Sequence, residues 1–429
     1  MRSGLRRRAM QGTALGLPRA WRVYGVSNFI SQIGTWMQAT VQAWLVLNLT
    51  GSPTRLGLLL SVQYVPAVLL GMPAGKLASR WGRRNLLLGA QAAMAVLAGG
   101  LAAVVASGWA SYFVLLGFAL LLGIGNALSQ PARIALAATL AGEEGAGAQG
   151  RARAAGLATL SFNLARILGP ALAGLAIAKF GMAFAFVANA LSFLPLLLFL
   201  ASQKADHARV SRRYGSGYEA FRLLWANVAT RVPLLTVAVA GVLAINPQAL
   251  IPAYARLGLG SSASGYGLLM GAAGAGACLG GVLQWRWPAA SIQRPLAAAM
   301  GLGVCLLALA VTHDSTIVFV ILVGFGICSA TVLCSAAAAV QSFVPDSLRN
   351  AATALQVTIV LGINPLGSAV TGWTIEHFGA NRGSAALGVA TLLAVLVLSL
   401  TSGGVNFRKW RLGSNGTECT VADRHQRSF

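Results

Sequence analysis

The sequence predicts an all-α integral membrane protein with twelve transmembrane helices in two halves of six. Of its 429 residues, 56% are hydrophobic and only 10% are charged, whereas soluble domains carry about 25% charged residues. Apolar runs of about 20 residues, the length of a helix that crosses a bilayer, follow one another along the chain. One motif also returns in the second half, as expected for a transporter built from two similar halves.

Turn residues between the apolar runs give the boundaries of the predicted spans. The breaks carry Gly, Ser and Pro, as in Gly51-Ser52-Pro53, which are typical turn residues. We predict spans near 23–48, 56–76, 84–106, 111–140, 154–178, 182–201, 230–254, 264–285, 295–312, 315–343, 352–376 and 384–402. The resulting division is a tail at 1–22, a six-helix half at 23–201, a central loop at 202–229, a second half at 230–402 and a tail at 403–429.

Positive charge is unevenly distributed between the two sides of the predicted bundle. In a soluble protein the net charge of +23 would suggest a nucleic-acid partner, but here the basic residues occupy tails and short loops, where they set membrane orientation. With the N-terminal tail inside, the outer loops hold only four of the 32 Lys and Arg residues, Arg55, Lys179, Arg256 and Arg382. We therefore predict two cytoplasmic termini, a lipid bilayer as partner and no nucleic acid.

A repeat links predicted spans 5 and 11. Four residues return with an offset of 198: Gly169, Gly174, Phe180 and Gly181 as Gly367, Gly372, Phe378 and Gly379. The Gly169-Pro170 pair and Gly174 have two interpretations. Small residues let helices pack closely, and a proline removes one backbone hydrogen bond and allows a span to bend.

The loop after span 2 resembles the signature loop of the major facilitator superfamily, G-x-L-A-D-R-x-G-R-R. It reads Gly75-Lys-Leu-Ala-Ser79-Arg80-Trp-Gly82-Arg83-Arg84. The resemblance implies the major facilitator fold and assigns a conformational role to Gly75, Arg80, Gly82, Arg83, Arg84, Gly169, Pro170 and Gly174. Ser79 stands where the family has an aspartate that helps latch the halves, so we expect an altered latch.

Further motifs resemble the enterobactin-exporter-like branch of that superfamily. They are Gly34-Thr-Trp-Met37, Leu49-Thr-Gly-Ser-Pro53, Gln130-Pro-Ala-Arg133 and Asn163-Leu-Ala-Arg166. This branch contains bacterial exporters of siderophores, macrolides and other drugs. The resemblance therefore implies a monomeric, multi-pass protein of the bacterial inner membrane that exports a small molecule and is not an enzyme.

Proton coupling is implied by this resemblance only. A proton-driven pump usually needs a buried titratable group, yet none of the nine acids lies in the middle of a predicted span. Some relatives have an acid in span 1 at the position of Thr35. Glu376 and His377, at the end of span 11, are the nearest titratable candidates, and residues at such positions are more often ordinary interfacial residues. We expect no metal and no organic cofactor.

Span 1 carries a polar stripe that we interpret as a cavity wall. The stripe occupies one helical face and consists of Asn28, Gln32, Thr35, Gln38 and Gln42. Polar groups facing lipid are unfavourable, so this face is expected to point into the bundle. The alternative is that these side chains hydrogen-bond neighbouring helices without contacting a substrate.

Arg166 lies inside span 5, about 18 Å from its start. We interpret it as a binding group for an anionic substrate, with a purely structural tie between helices as the alternative. Helix breaks beside a cavity are tolerated, so Asn246 and Asn364, each followed by proline, complete the predicted cavity set. Aromatic residues that could also line it are Trp36, Tyr64, Tyr254, Tyr266 and Trp373. Arg133 is interpreted as snorkelling to the inner interface.

These observations together predict a secondary exporter of a siderophore or similar anionic metabolite that works by alternating access. The alternative in the same class is a multidrug or macrolide efflux pump. A non-transporting sensor or partner subunit is the alternative from another class, and the repeat disfavours it. A membrane enzyme is disfavoured because the sequence has no acid–His, Ser–His or metal cluster at membrane depth.

Overall fold

The computed structural model describes residues 17–142, 147–203, 222, 224–286, 291–344 and 349–402. Twelve long helices account for nearly all of these residues. They are α1 (Arg19–Thr50), α2 (Pro53–Trp81), α3 (Arg83–Ala106), α4 (Tyr112–Gly142), α5 (Gly147–Phe180), α6 (Met182–Ser202), α7 (Val228–Leu257), α8 (Ala263–Leu283), α9 (Gln293–Val311), α10 (Ser315–Ser342), α11 (Arg349–Phe378) and α12 (Ala380–Ser402). The all-helical, twelve-span prediction is confirmed.

The helices are long enough to cross a bilayer. Eleven helices of the described part are also sufficiently apolar. The twelfth, α1, has 32 residues and is therefore about 48 Å long at 1.5 Å per residue, but its polar stripe lowers its hydropathy. Several helices extend beyond the predicted spans, as α5 does by starting at Gly147, because a helix continues into the aqueous phase where hydropathy gives no signal.

Capping side chains mark the starts of several helices, and glycines with positive φ angles mark some of their ends. Ser52, Ser262 and Asp314 each precede a helix and accept hydrogen bonds from its first backbone N–H groups, which would otherwise have no partner. Gly181 and Gly379 follow α5 and α11 with φ angles of 81° and 80°. Only glycine adopts this conformation readily, so the repeat of spans 5 and 11 reproduces the same backbone turn.

Prolines within the helices have unequal effects. The chain interrupts α7 between Leu243 and Pro247, as predicted for Asn246. In contrast, the break predicted at Asn364 is wrong: α11 remains helical through Pro365, as α5 does through Pro170. A proline costs a helix one internal hydrogen bond, and the packing of neighbouring helices maintains both helices through that defect.

Each half of six helices has an apolar core built mainly from its own residues. In the first half, Val41, Leu59 and Phe186 belong to one buried cluster. In the second half, Leu302 and Phe325 belong to another. The halves meet mainly where α2 packs against α11 and α5 packs against α8. This arrangement leaves space between the halves for a central cavity.

The two tails, most of the central loop and the loops 143–146, 287–290 and 345–348 lie outside the described residues. The same holds for the side chain of Ser79, and therefore for the altered latch expected there.

Candidate functional site

A cavity of about 290 Å³ lies between the two halves. Its first-half wall comes from α1, α2 and α5, and its second-half wall comes from α7, α8, α10 and α11. The polar lining residues are Tyr64, Arg166, Asn246, Gln248, Asn364 and Ser368, and the larger apolar ones are Trp36, Phe162, Ile245, Met270, Leu333, Val360 and Ile363. The cavity thus combines a mostly apolar wall with a few polar groups, which is usual for a small-molecule site.

Arg166 is the charged residue of this cavity wall. The titratable side chains near its guanidinium are those of Tyr64 and Cys278, and neither carries a carboxylate. Two of the acids are among the described residues. Asp314 caps α10 and Glu376 binds the start of α2, so neither neutralises Arg166. A partly buried cation without a carboxylate partner is unfavourable in the absence of ligand, and an anionic ligand would relieve that cost.

The interruption of α7 places two polar residues at the cavity. The side-chain Nδ2 of Asn246 donates to the carbonyl oxygens of Gly241 at 2.9 Å and Val242 at 3.2 Å. These carbonyls are at the end of the first α7 segment and would otherwise lack partners. Asn246 therefore stabilises the break itself, and the break places Gln248 at the cavity wall.

A hydrogen bond crosses between the halves at the cavity. The hydroxyl of Tyr64 on α2 donates to Oε1 of Gln248 on α7. Both residues line the cavity together with Arg166. A ligand that carries hydrogen-bonding groups would compete with this contact between the halves.

The polar stripe of α1 has a different environment from the predicted one. Asn28, Gln32, Thr35 and Gln42 do not line the central cavity in this conformation. The interhelical alternative holds for Gln38, whose Oε1 accepts from Nδ2 of Asn189 on α6 at 2.6 Å.

Several polar atoms of the stripe lack partners in this conformation. Thr35 donates to the carbonyl of Ser31 on its own helix. Gln42 is 2% exposed, and neither of its side-chain polar atoms has a hydrogen-bond partner. Oδ1 of Asn28 is also buried without a hydrogen-bond partner. Buried polar atoms without partners are costly, so these side chains would gain from a conformation that hydrates them.

Of the other residues predicted near the cavity, some line it and others do not. Trp36 and Tyr64 line the cavity. Tyr254 instead donates to the carbonyl of Thr312 at 2.8 Å, Tyr266 packs in the apolar core, and Trp373 is half exposed at the end of α11. Nε of Arg133 is buried without a hydrogen-bond partner, so this part of its side chain does not snorkel to water.

One end of the cavity is closed by hydrogen bonds between α2 and α11. Ser61 Oγ donates to the carbonyl of Pro365 at 2.6 Å. Nearer the helix ends, Glu376 accepts from the Thr54 backbone N–H at 2.8 Å and from the Ser52 hydroxyl. A carboxylate at a helix N-terminus is favourable because it faces the positive end of the helix dipole. We call the end of the bundle that carries Glu376 the closed end.

The second contact at the closed end joins α5 to α8. A Cβ added to Gly267 would lie 2.6 Å from the Pro170 carbonyl oxygen, and one added to Gly174 would lie 3.0 Å from the Ser264 Cα. Gly169 packs against Trp36 of α1 in the same manner. The predicted Gly169-Pro170 and Gly174 motif therefore forms close helix contacts, and a bending role is not needed to explain its position.

An aromatic stack adds a third contact at this end. The rings of Trp44 on α1 and Tyr266 on α8 lie 5.4 Å apart and are nearly parallel, at 13°. The guanidinium of Arg256 lies 6.0 Å from the Trp44 ring centre, within cation–π range. All three contacts join opposite halves, so this end must separate before the cavity can open through it.

The signature loop lies at the opposite end, between α2 and α3. Arg84 donates from Nε to the Leu200 carbonyl at 2.7 Å and from Nη2 to the Ala201 carbonyl at 2.9 Å. These bonds satisfy carbonyls at the end of α6. Arg83 donates from Nη1 to Oγ1 of Thr139 at 2.7 Å. Arg80 is exposed, and Gly82 has a φ angle of 84°. These hydrogen bonds stay within the first half.

Sequence reasoning missed Phe162, Gln248 and Ser368 as cavity residues. Gln248 could have been predicted from the sequence, since it follows the predicted break at Asn246-Pro247. Phe162 and Ser368 could not, because isolated apolar or hydroxyl residues occur on every face of these helices. Within the described ranges, no group of three or more His, Cys, Asp or Glu side chains could hold a metal ion.

The chain matches a known protein family over most of its length. The model for transmembrane secretion effectors matches residues 18–410. No curated protein sequence matches the chain.

Solved structures share the fold at low sequence identity. A bacterial homologue of the human lysosomal transporter Spinster, in an inward-facing and unoccupied conformation, matches with a TM-score of 0.68 and 17% identity, covering 90% of this chain and 95% of that one. The nucleoside transporter NupG gives a TM-score of 0.71 and 13% identity, covering 90% and 100%. A D-xylose–proton symporter gives 0.66 and 16%, covering 88% and 96%. The family match and the twelve-helix fold show that the chain belongs to the transmembrane secretion effector family of major facilitator transporters.

Proposed function

We propose that the protein exports a small anionic metabolite of the siderophore kind across the bacterial inner membrane by alternating access. The observation that carries this proposal is the position of Arg166, which lines the central cavity and has no carboxylate partner among the described residues. An anionic group of the substrate would supply the missing partner. The apolar and aromatic residues around it, such as Trp36 and Phe162, would hold an aromatic or aliphatic body.

The proposed orientation follows from the distribution of basic residues. Arg55, Lys179, Arg256 and Arg382 belong to the closed end, and the remaining loops and tails hold most of the other Lys and Arg residues. Because basic loops remain in the cytoplasm, the closed end faces outward and both termini face the cytoplasm. In this orientation the cavity receives substrate from the cytoplasm while its outward exit is shut.

In the proposed cycle the closed end opens after substrate has bound. The Glu376 contacts, the α5–α8 packing and the Trp44–Tyr266 stack separate, and substrate leaves outward. Proton antiport is proposed on the family resemblance. Glu376 is the described acid best placed to respond, because it bonds across the halves at this end.

A multidrug efflux function is the second candidate. It is favoured by the mostly apolar cavity wall, which includes Met270, Leu333 and Val360. Such a wall would accept large lipophilic compounds without specific hydrogen bonds. Arg166 favours an anionic metabolite over a cationic drug, since a cation beside it would be repelled.

The test compares culture media from a parent strain and a deletion strain, with and without iron. We expect an anionic metabolite to be missing from the medium of the deletion strain in iron-poor medium. Re-introduced Arg166→Ala should not restore it, Arg166→Lys should restore part of it, and Arg382→Ala, at an exposed cation of the closed end, should restore it fully.

Protein level in the membrane is measured for each variant by immunoblot. Full export by Arg166→Ala at a normal protein level would remove Arg166 from the mechanism. Unchanged media together with altered resistance to lipophilic compounds would favour the drug pump instead.

A further inference from the structure

A second cavity lies on the outer surface of the first half. It has a volume of about 360 Å³ and lies between α1, α5 and α6, apart from the central cavity. Its walls are almost entirely apolar and include the exposed side chains of Ile30, Leu172, Leu175 and Phe184. We call it the lateral groove. In a membrane-spanning chain such a surface faces lipid tails.

The lateral groove has the depth of one leaflet. Along α6 its lining extends from Phe184 past Ala188 to Ser192, and α6 begins at Met182. The 11 residues from Met182 to Ser192 are separated by ten steps of 1.5 Å, about 15 Å in all, which is half of a hydrocarbon core of about 30 Å. A single acyl chain reaching from the interface to the bilayer midplane fits these dimensions.

One end of the groove carries a cation. Lys179 is the charged residue of the lining, and it is exposed in the last turn of α5. Phe180 and Phe184 flank this end with ring centres 4.6 Å apart. Aromatic rings and basic residues at the membrane interface sit at the level of lipid headgroups. The groove thus offers an apolar channel for a chain and a positive charge where the phosphate would be.

We propose that the lateral groove binds one anionic phospholipid, with an acyl chain between α1, α5 and α6 and its headgroup phosphate paired with Lys179. The transported substrate is not the proposed occupant, because the groove has no hydrogen-bonding cluster and does not contain Arg166. Binding here does not depend on the identity or direction of the exported molecule.

The lateral groove is formed in part by helices that also line the central cavity. Helices α1 and α5 also supply Trp36 and Arg166 to the central cavity, and α5 packs against α8 through Pro170 and Gly267. A lipid bound in the groove therefore contacts two helices whose movement relative to the second half opens the closed end. We expect its binding to change the transport rate as well as thermal stability.

The test uses native mass spectrometry of the purified full-length protein in detergent, titrated with phosphatidylglycerol or phosphatidylethanolamine. We expect at least a threefold preference for phosphatidylglycerol. Lys179→Gln should abolish that preference, and Arg382→Gln, which removes another exposed cation at the same end, should retain it. Equal loss in both variants, or no preference in the native protein, would overturn the proposal.

A second pair of variants tests the apolar part of the groove. Ala188→Phe fills the lateral groove and should weaken binding of both lipids severalfold. Val187→Phe, at an exposed neighbouring position outside the groove, should bind lipid as the native protein does. If Ala188→Phe binds both lipids normally while remaining folded by circular dichroism, the acyl chain does not occupy the groove.

Discussion

The close contact between α5 and α8 provides a sharp test of the role of the closed end. Gly267 on α8 faces α5, and a Cβ placed on it would lie 2.6 Å from the Pro170 carbonyl oxygen. Carbon–oxygen contacts normally begin at about 3.3 Å. The Gly267→Ala substitution therefore forces α5 and α8 apart by about 0.7 Å, and the carbonyl cannot turn aside as a flexible side chain would. Gly281, on the same helix, has nothing within 4 Å of such a Cβ.

This separation should shift the conformational equilibrium. Overpacking of this kind costs about 1–3 kcal/mol, which corresponds to about 5–150-fold in an equilibrium constant. Because the strain exists only when the closed end is shut, we expect Gly267→Ala to raise the population in which this end is open. Gly281→Ala should leave that population unchanged.

The assay is a distance measurement between spin labels at the closed end. Trp109 and Val311 lie in opposite halves, and both are about 80% exposed, so cysteines there, in a background without the native cysteines, can be labelled. Double electron–electron resonance should show an additional, longer distance between the labels in Gly267→Ala. The distance distribution of Gly281→Ala should match that of the native protein. Identical distributions for the two variants would refute the reasoning that this contact holds the closed end.

Three further predictions test other contacts. Glu376→Gln weakens the bond to the start of α2. Because this site is exposed, we expect only about 0.5–1 kcal/mol, seen as a roughly two- to fivefold larger open population with the same labels. His377→Gln should match the native protein, because this ring bonds to Trp373 of its own helix. Asn246→Ala leaves the carbonyls of Gly241 and Val242 without their side-chain donor, and should lower stability by about 1–3 kcal/mol. Thermal unfolding in detergent measures this, and an unchanged melting temperature would contradict it. Backbone N–H groups of Ile317 and Thr316 hold the pKa of Asp314 below its usual value of 3.8. Its cap therefore stabilises α10 above that pH and is lost as pH falls through the lowered pKa. An Asp314→Ala variant should melt earlier than the native protein at pH 7, and that difference should shrink in strong acid. A difference independent of pH would contradict this assignment.

Local sequence signals identified part of the candidate site. Arg166 stood out because a charge in an apolar run is costly, and Asn246 and Asn364 stood out because each precedes a proline. All three line the central cavity. These signals work because each residue is unfavourable in its own span unless a cavity or a neighbouring helix compensates for it.

Other parts of the site could not be predicted from the sequence. The helical period correctly placed Asn28, Gln32, Gln38 and Gln42 on one buried face of α1. It could not determine whether that face meets the cavity or α6, because periodicity gives the angle of a face and not its neighbour. The bond between Glu376 and the start of α2 was equally unforeseen, since the residues are more than 300 positions apart.

The amino-acid sequence by itself determined the membrane class, the twelve helices and the repeated turn at Gly181 and Gly379, because hydropathy and backbone conformation are local properties. Only the tertiary structure decided that Trp36 and not the polar stripe of α1 reaches the central cavity, that Gly267 packs against Pro170, and that one end is closed. These features depend on how the two halves are placed against each other, and that placement arises from many weak contacts between residues distant in the chain.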